Sequence, residues 1–112
     1  MLKHPREKGR EFEHLIAAMI TDAGFGKSIR TPLSGGGGIP GDVMSKLPLF
    51  IECKKQESWK PLKWWQEAHS KSPIAAYPTL LLLSKNFLEP YAFMKFEDLL
   101  EIMSYAYLGG WR

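Results

Sequence analysis

Six residues, TLLLLS at positions 79–84, constrain the fold more than any other stretch. Pro78 precedes them and Lys85 follows. A continuous apolar run of this length, closed by breakers, is the pattern of a strand buried on both faces. Such a strand needs cover above and below, and the rest of the chain offers helices for it. Residues 10–23 place Phe12, Leu15, Ile16, Met19 and Ile20 at helical spacing, with Gly24 as a stop. Residues 58–70 read as a second helix with Pro61 in its first turn. Residues 96–107 repeat the helical pattern through Phe96, Leu99, Leu100, Ile102 and Met103, and Gly109-Gly110 ends it.

The remaining segments read as strands and turns. Residues 27–31 (KSIRT) suit a short edge strand, and 32–40 form a glycine-rich loop. Residues 41–46 (GDVMSK) and 49–54 (LFIECK) read as two strands of a hairpin, turning at 46–48. Residues 71–78 are a turn region, and 91–95 read as one more short strand. The order α-β-β-β-α-β, then a strand and a helix, predicts an α/β fold: a mixed central sheet flanked by helices.

A length of 112 residues suits one domain, 1–112, and leaves no room for two. The net charge of +3 is compatible with nucleic acid without requiring it. Cys53 is the sole cysteine, so neither an internal disulfide nor a cysteine-based zinc site is available. The longest apolar run is four leucines, far short of a membrane span, and no apolar stretch follows the basic residues at the start. The expected setting is intracellular, cytoplasmic or nucleoid-associated.

Strand alternation singles out residues 49–54. Positions two apart share a face, so Glu52 and Lys54 stand on one side with Phe50, while Ile51 and Cys53 cover the other. A carboxylate on a half-buried strand needs a partner. Asp42, across the hairpin, brings a second carboxylate close. Two carboxylates with a neighbouring backbone carbonyl and water form a hard-oxygen site for Mg²⁺ or Mn²⁺. Lys54 is placed to orient water or to stabilise a phosphorane-like transition state. The competing reading is a surface Glu-Lys ion pair, which would contribute little stability.

The set Gly41-Asp42 followed by Glu52-Cys53-Lys54 resembles the PD-(D/E)xK nuclease superfamily, with glycine where the usual proline precedes the aspartate. A closer likeness runs over residues 8–85. Lys8-Gly9-Arg10-Glu11-Phe12-Glu13-His14-Leu15, Ala23-Gly24-Phe25, Ser34-Gly35-Gly36, Asp42 and Ile51-Glu52-Cys53-Lys54-Lys55 are similar to archaeal-type Holliday junction resolvases and their viral relatives. The resemblance implies a restriction-endonuclease-like αβββαβ core. It implies that Glu13 joins Asp42, Glu52 and the Cys53 backbone carbonyl around the metal. It also implies that Ser34 lies near the scissile phosphate and Gln66 near the active site. A homodimer acting on branched DNA, and a virus-encoded origin, follow from the same likeness. Within the first helix Glu11 competes with Glu13, since about 200° of rotation separates them and only one can face the site.

Other features have two readings each. The SGGGG stretch at 34–38 either cradles a phosphate through backbone N–H groups or is a flexible loop; it lacks the Lys-Ser/Thr of a nucleotide-binding loop. Lys3, Arg6, Lys8, Arg10, Lys27, Arg30, Lys55, Lys60 and Lys63 are candidate phosphate contacts or a solvated surface, with the N-terminal arm (Lys3, Arg6, Lys8, Arg10) favoured. Ser34, Gly35, Gly36 and Gln66 complete the expected DNA contacts. One of Trp64 and Trp65 is expected in the core and the other partly exposed. His4, His14 and His69 lack ligand spacing, and Cys53 reads as a small apolar residue, not a nucleophile.

The function expected is metal-dependent DNA phosphodiester hydrolysis, with a four-way junction as substrate and roles in recombination and repair. Other nucleases of the same superfamily (restriction, repair, nicking, phage DNA processing) remain open. So does a non-catalytic DNA-binding module of the same fold.

Overall fold

A computed structural model describes residues 5–32, 41–72 and 77–110. Its elements in chain order are α1 (Pro5–Asp22), β1 (Ile29–Arg30), β2 (Val43–Met44), β3 (Phe50–Lys55), α2 (Pro61–Lys71), β4 (Thr79–Ser84), β5 (Tyr91–Phe93) and α3 (Phe96–Leu108). The three-stranded sheet has the order β3-β4-β5, with β3 and β4 parallel and β4 and β5 antiparallel. β1 and β2 form a small antiparallel pair beside it. This is the α/β fold with a mixed sheet that the sequence predicts.

The run at 79–84 is the central strand, and its alternation divides the core in two. Leu80 and Leu82 pack with Phe12, Ile16, Ala17, Val43 and Ile51 on the α1 side. Leu81 and Leu83 pack against Trp64 on the α2 side. Because β3 and β4 are parallel, their connection must cross a face of the sheet, and α2 makes that crossing. Phe50, Glu52 and Lys54 register with Thr79, Leu81 and Leu83. The catalytic candidates on β3 therefore share the α2 face with Trp64, while Ile51 and Cys53 belong to the α1 cluster.

Boundaries differ from expectation in several places: β1 is two residues long instead of five and β5 three instead of five, and the following three have a visible local cause. α1 starts at Pro5, five residues before the expected start at position 10. A proline opens a helix without leaving an N–H unpaired, and Glu7 complements the first turn. Arg6, Lys8 and Arg10 are thus helical residues, not an extended arm; Lys3 lies outside the described residues. α2 starts at Pro61 instead of Ser58. The indole of Trp59 donates to Gln56 O at 2.9 Å and Ser84 O at 3.1 Å, and Lys60 before the proline has φ −130° and ψ 68°, outside the helical region. β2 is two residues long instead of six. Gly41 before it has φ +82°, and Ser45 Oγ after it accepts the Leu47 N–H at 3.1 Å to start the turn.

The expected hairpin ladder between residues 41–46 and 49–54 does not form, since β2 pairs with β1 and β3 belongs to the other sheet, yet backbone still ties Asp42 to both. The Asp42 N–H donates to Ile51 O at 2.8 Å, and the Thr31 N–H donates to Asp42 O at 3.0 Å. Asp42 is therefore held by backbone on both sides, between β1 and β3.

Candidate active site

Asp42 and Glu52 come together at the edge of β3. The Asp42 carboxylate accepts the Cys53 N–H at Oδ2, 2.8 Å, so the backbone of β3 aims it. Its side chain is also hydrogen-bonded to Glu52. Asp42 is buried, with 9 % of its surface exposed, and Glu52 is partly buried. Burial pushes the Glu52 carboxyl up from 4.5 to about 8, helped by the hydrogen bond and the charge of Asp42; Lys71 and Lys54 pull the other way. Two acids this close and this dry share a proton unless a cation joins them.

Lys54 lies on the same face as Glu52. Its Nζ sits 5.8 Å from the ring centroid of Trp64, which is buried in the α2 layer. That cation–π contact directs the ammonium along the face of the sheet. Lys71, at the end of α2, is a second cation close enough to act on Glu52. The sequence reading missed it, because nothing in local spacing links the last turn of α2 to the middle of β3.

Glu13 is the inward acid of α1: it is 9 % exposed, whereas Glu11 is exposed. Its Oε1 receives a hydrogen bond from Arg30 Nε at 2.6 Å, an ion pair that clamps α1 to β1. Arg30, expected among the phosphate contacts, is thus engaged by Glu13. Among the described residues, no three His, Cys, Asp or Glu side chains gather to hold a metal ion. The arrangement is a close Asp42–Glu52 pair with Glu13 on its own partner nearby.

Cys53 lies among all three acids. Its thiol is pushed far up, first by burial and then by the charges of Asp42, Glu13 and Glu52. It remains protonated and is not a nucleophile. On a strand the N–H and C=O of one residue point to the same edge, so the Cys53 carbonyl lies on the edge that faces Asp42.

The other candidates are spread more widely. Lys55 is half-buried at the end of β3; Gln66 is exposed on α2; Arg6 and Arg10 are exposed and Lys8 half-buried on α1. Ser34, Gly35 and Gly36 lie outside the described residues. Trp64 is the core tryptophan of the pair. Trp65 is half-buried, donates to Thr79 O at 3.0 Å and stacks on His69 with ring centroids 4.8 Å apart. His69 is exposed as expected, yet its Nδ1 also meets Thr79 Oγ1 at 3.0 Å.

This geometry can be set against known proteins. A model of the phage putative PDDEXK endonuclease family matches residues 4–108. The chain belongs to that family. No curated protein and no solved structure matches it. The matched span contains Glu13, Asp42, Glu52 and Lys54. No helix among the described residues is long and apolar enough to cross a membrane.

Proposed function

We propose that this PDDEXK chain is a Mg²⁺-dependent DNA endonuclease, that Mn²⁺ substitutes for Mg²⁺, and that the substrate is branched DNA cut in the manner of a Holliday junction resolvase. The observation that carries the proposal is the buried Asp42–Glu52 pair, aimed by the Cys53 N–H and flanked by Lys54. A structural ion pair would not bring two carboxyls together out of water. A hard divalent cation favours that arrangement, and two carboxylates with the Cys53 carbonyl are a donor set that fits one. The likeness to junction resolvases supports Glu13 as a further ligand, its Oε1 held by Arg30.

A bound divalent ion would supply a Lewis acid for a phosphate oxygen and would acidify a water. The chain's own residues do the rest. The backbone of β3 fixes the Asp42 carboxylate in place, and Glu52 gives up the proton it shares with Asp42 when both turn to a cation. Lys54, steadied over Trp64, offsets the charge that builds on the phosphate. Arg6, Lys8, Arg10 and Lys55 are candidates to follow the DNA backbone. The likeness to junction resolvases supports a homodimer that cuts two strands symmetrically and leaves 5′-phosphates; the family's description supports a phage origin.

The test is a cleavage panel of four-way junction, flap, linear duplex and single strand, with Mg²⁺, with Mn²⁺ and with EDTA. Paired symmetric cuts confined to the junction are expected, lost in EDTA and in Asp42→Asn. Cleavage of linear duplex alone would move the chain to the restriction or processing nucleases. Full activity in Asp42→Asn would end the proposal.

A further inference from the structure

α2 brings more to the site than its tryptophan. Trp64, Ala68 and Lys71 recur at i, i+4 and i+7, so they fall within about 60° of one another around the helix. Trp64 and Ala68 are buried, which marks this line as the face turned to the sheet. Lys71 continues the line in the last turn and is exposed. Lys63, the other lysine of α2, is turned about 100° away from Trp64.

Two repeats set the level of Lys71 along the sheet. α2 joins the end of β3 to the start of the parallel strand β4, so it runs back antiparallel to β3. Lys54 marks the level of Trp64, with its Nζ 5.8 Å from the ring centroid. Seven residues of helix carry the chain about 10 Å back from there. On β3, Glu52 is about 7 Å back from Lys54 and Phe50 about 13 Å. Lys71 is therefore level with the stretch between Phe50 and Glu52. Two contacts pin the end of the helix at that height. Trp65 Nε1 donates to Thr79 O at 3.0 Å, and His69 Nδ1 meets Thr79 Oγ1 at 3.0 Å, Thr79 being the register partner of Phe50. The charge of Lys71 is felt at the Glu52 carboxyl accordingly, and more strongly than that of Lys54.

We propose that Lys71 is a substrate-binding residue, whose ammonium grips from the helix side the DNA phosphate that docks at the Asp42–Glu52 pair, while Lys54 meets it from the strand. The assignment rests on the nuclease reading of that pair. In the resting site Lys71 serves as a counter-ion to Glu52. When the two carboxylates turn to a cation, Lys71 loses that service and its ammonium is left for the phosphate. Two effects of opposite sign follow. Lys71 opposes the binding of a divalent ion to the DNA-free protein, and it favours the binding of DNA. A lysine kept only to complement the C-terminal end of a helix dipole would do neither more than any surface lysine.

Equilibrium binding of a fluorescent four-way junction in Ca²⁺, across a salt series, reads the second effect. Lys71→Gln should weaken binding about three- to tenfold and lower the slope of log affinity against log salt by about one, the signature of one lost phosphate contact. Lys71→Arg should keep both. Lys95→Gln, an equal loss of charge at the start of α3, should change affinity by less than about twofold. Titration of the DNA-free protein with Mn²⁺ reads the first effect: Lys71→Gln should bind the ion about fivefold more tightly, since one like charge is gone from beside it. All variants should keep the wild-type circular dichroism. Unchanged affinity and slope in Lys71→Gln, an equal loss in Lys95→Gln, or a wild type that binds no DNA would overturn the assignment. So would Mn²⁺ binding that Lys71→Gln weakens. The nuclease reading fails by another route, through Mn²⁺ that the wild type does not bind or full cleavage by Asp42→Asn, and the salt slope judges Lys71 in either event.

Discussion

Replacing Glu52 by glutamine should stabilise the metal-free protein while destroying its activity, and the gain should depend on pH. The Glu52 carboxyl has a normal value of 4.5 in an unfolded chain and about 8 in the folded one. Between those values the folded state holds a proton that the unfolded state has lost. Unfolding therefore becomes easier as pH rises through that window, and the penalty is complete above about pH 8. Sealed from water, a rise from 4.5 to about 8 would correspond to about 5 kcal/mol. Glu52 is only partly buried, so solvent screens the effect, and about 2 kcal/mol is the working figure. Glutamine keeps the shape and a hydrogen bond to Asp42 but has no charge to bury. Urea melts in EDTA should show the two proteins nearly equal at pH 5. At pH 8.5 Glu52→Gln should be ahead by about 2 kcal/mol, or about 10 °C in Tm. Added Mg²⁺ should narrow the gap by stabilising only the wild type. A difference that is the same at both pH values, or a variant less stable at pH 8.5, would refute the claim that Glu52 is held in a site hostile to its charge.

Three further outcomes follow from other parts of the site. Gly41→Ala forces a side chain onto φ +82° and brings its Cβ to 3.1 Å from Ile51 O; a loss of about 1–3 kcal/mol is expected in thermal melts, with cleavage falling further because Asp42 is the next residue. Arg30→Ala removes the Arg30–Glu13 ion pair and should cost about 3 kcal/mol at pH 7, and a double-mutant cycle with Glu13→Gln would record how much of that is the pair itself. Trp65→Phe removes the N–H that Thr79 O accepts and should cost about 1 kcal/mol in denaturant titrations without altering cleavage.

The sheet was legible because its strongest signal was unambiguous. Four consecutive leucines can be satisfied only by cover on both faces, and the leucines of β4 divide between α1 and α2. Strand alternation likewise placed Glu52 with Lys54 and against Cys53. The choice between Glu11 and Glu13 was not legible, since helical rotation separates them without saying which side faces inward; burial settles that Glu13 does. Spacing in one strand also carries no information about Lys71, which reaches Glu52 only because α2 crosses back over the sheet. A glycine stands where the usual proline precedes Asp42. Its φ of +82° explains it: proline cannot adopt that angle, and the chain here needs it to turn Asp42 toward β3.

The perch of Lys54 above Trp64 has an optical consequence. An ammonium 5.8 Å from an indole centroid perturbs the energy of the ring's excited state, and Trp64 is buried enough for that neighbour to matter. Any phosphate that draws Lys54 away changes the emission of that one ring. With Trp59 and Trp65 converted to phenylalanine, and Trp111 likewise, the remaining fluorescence becomes an internal gauge of site occupancy that requires no dye, no cut strand and no active metal.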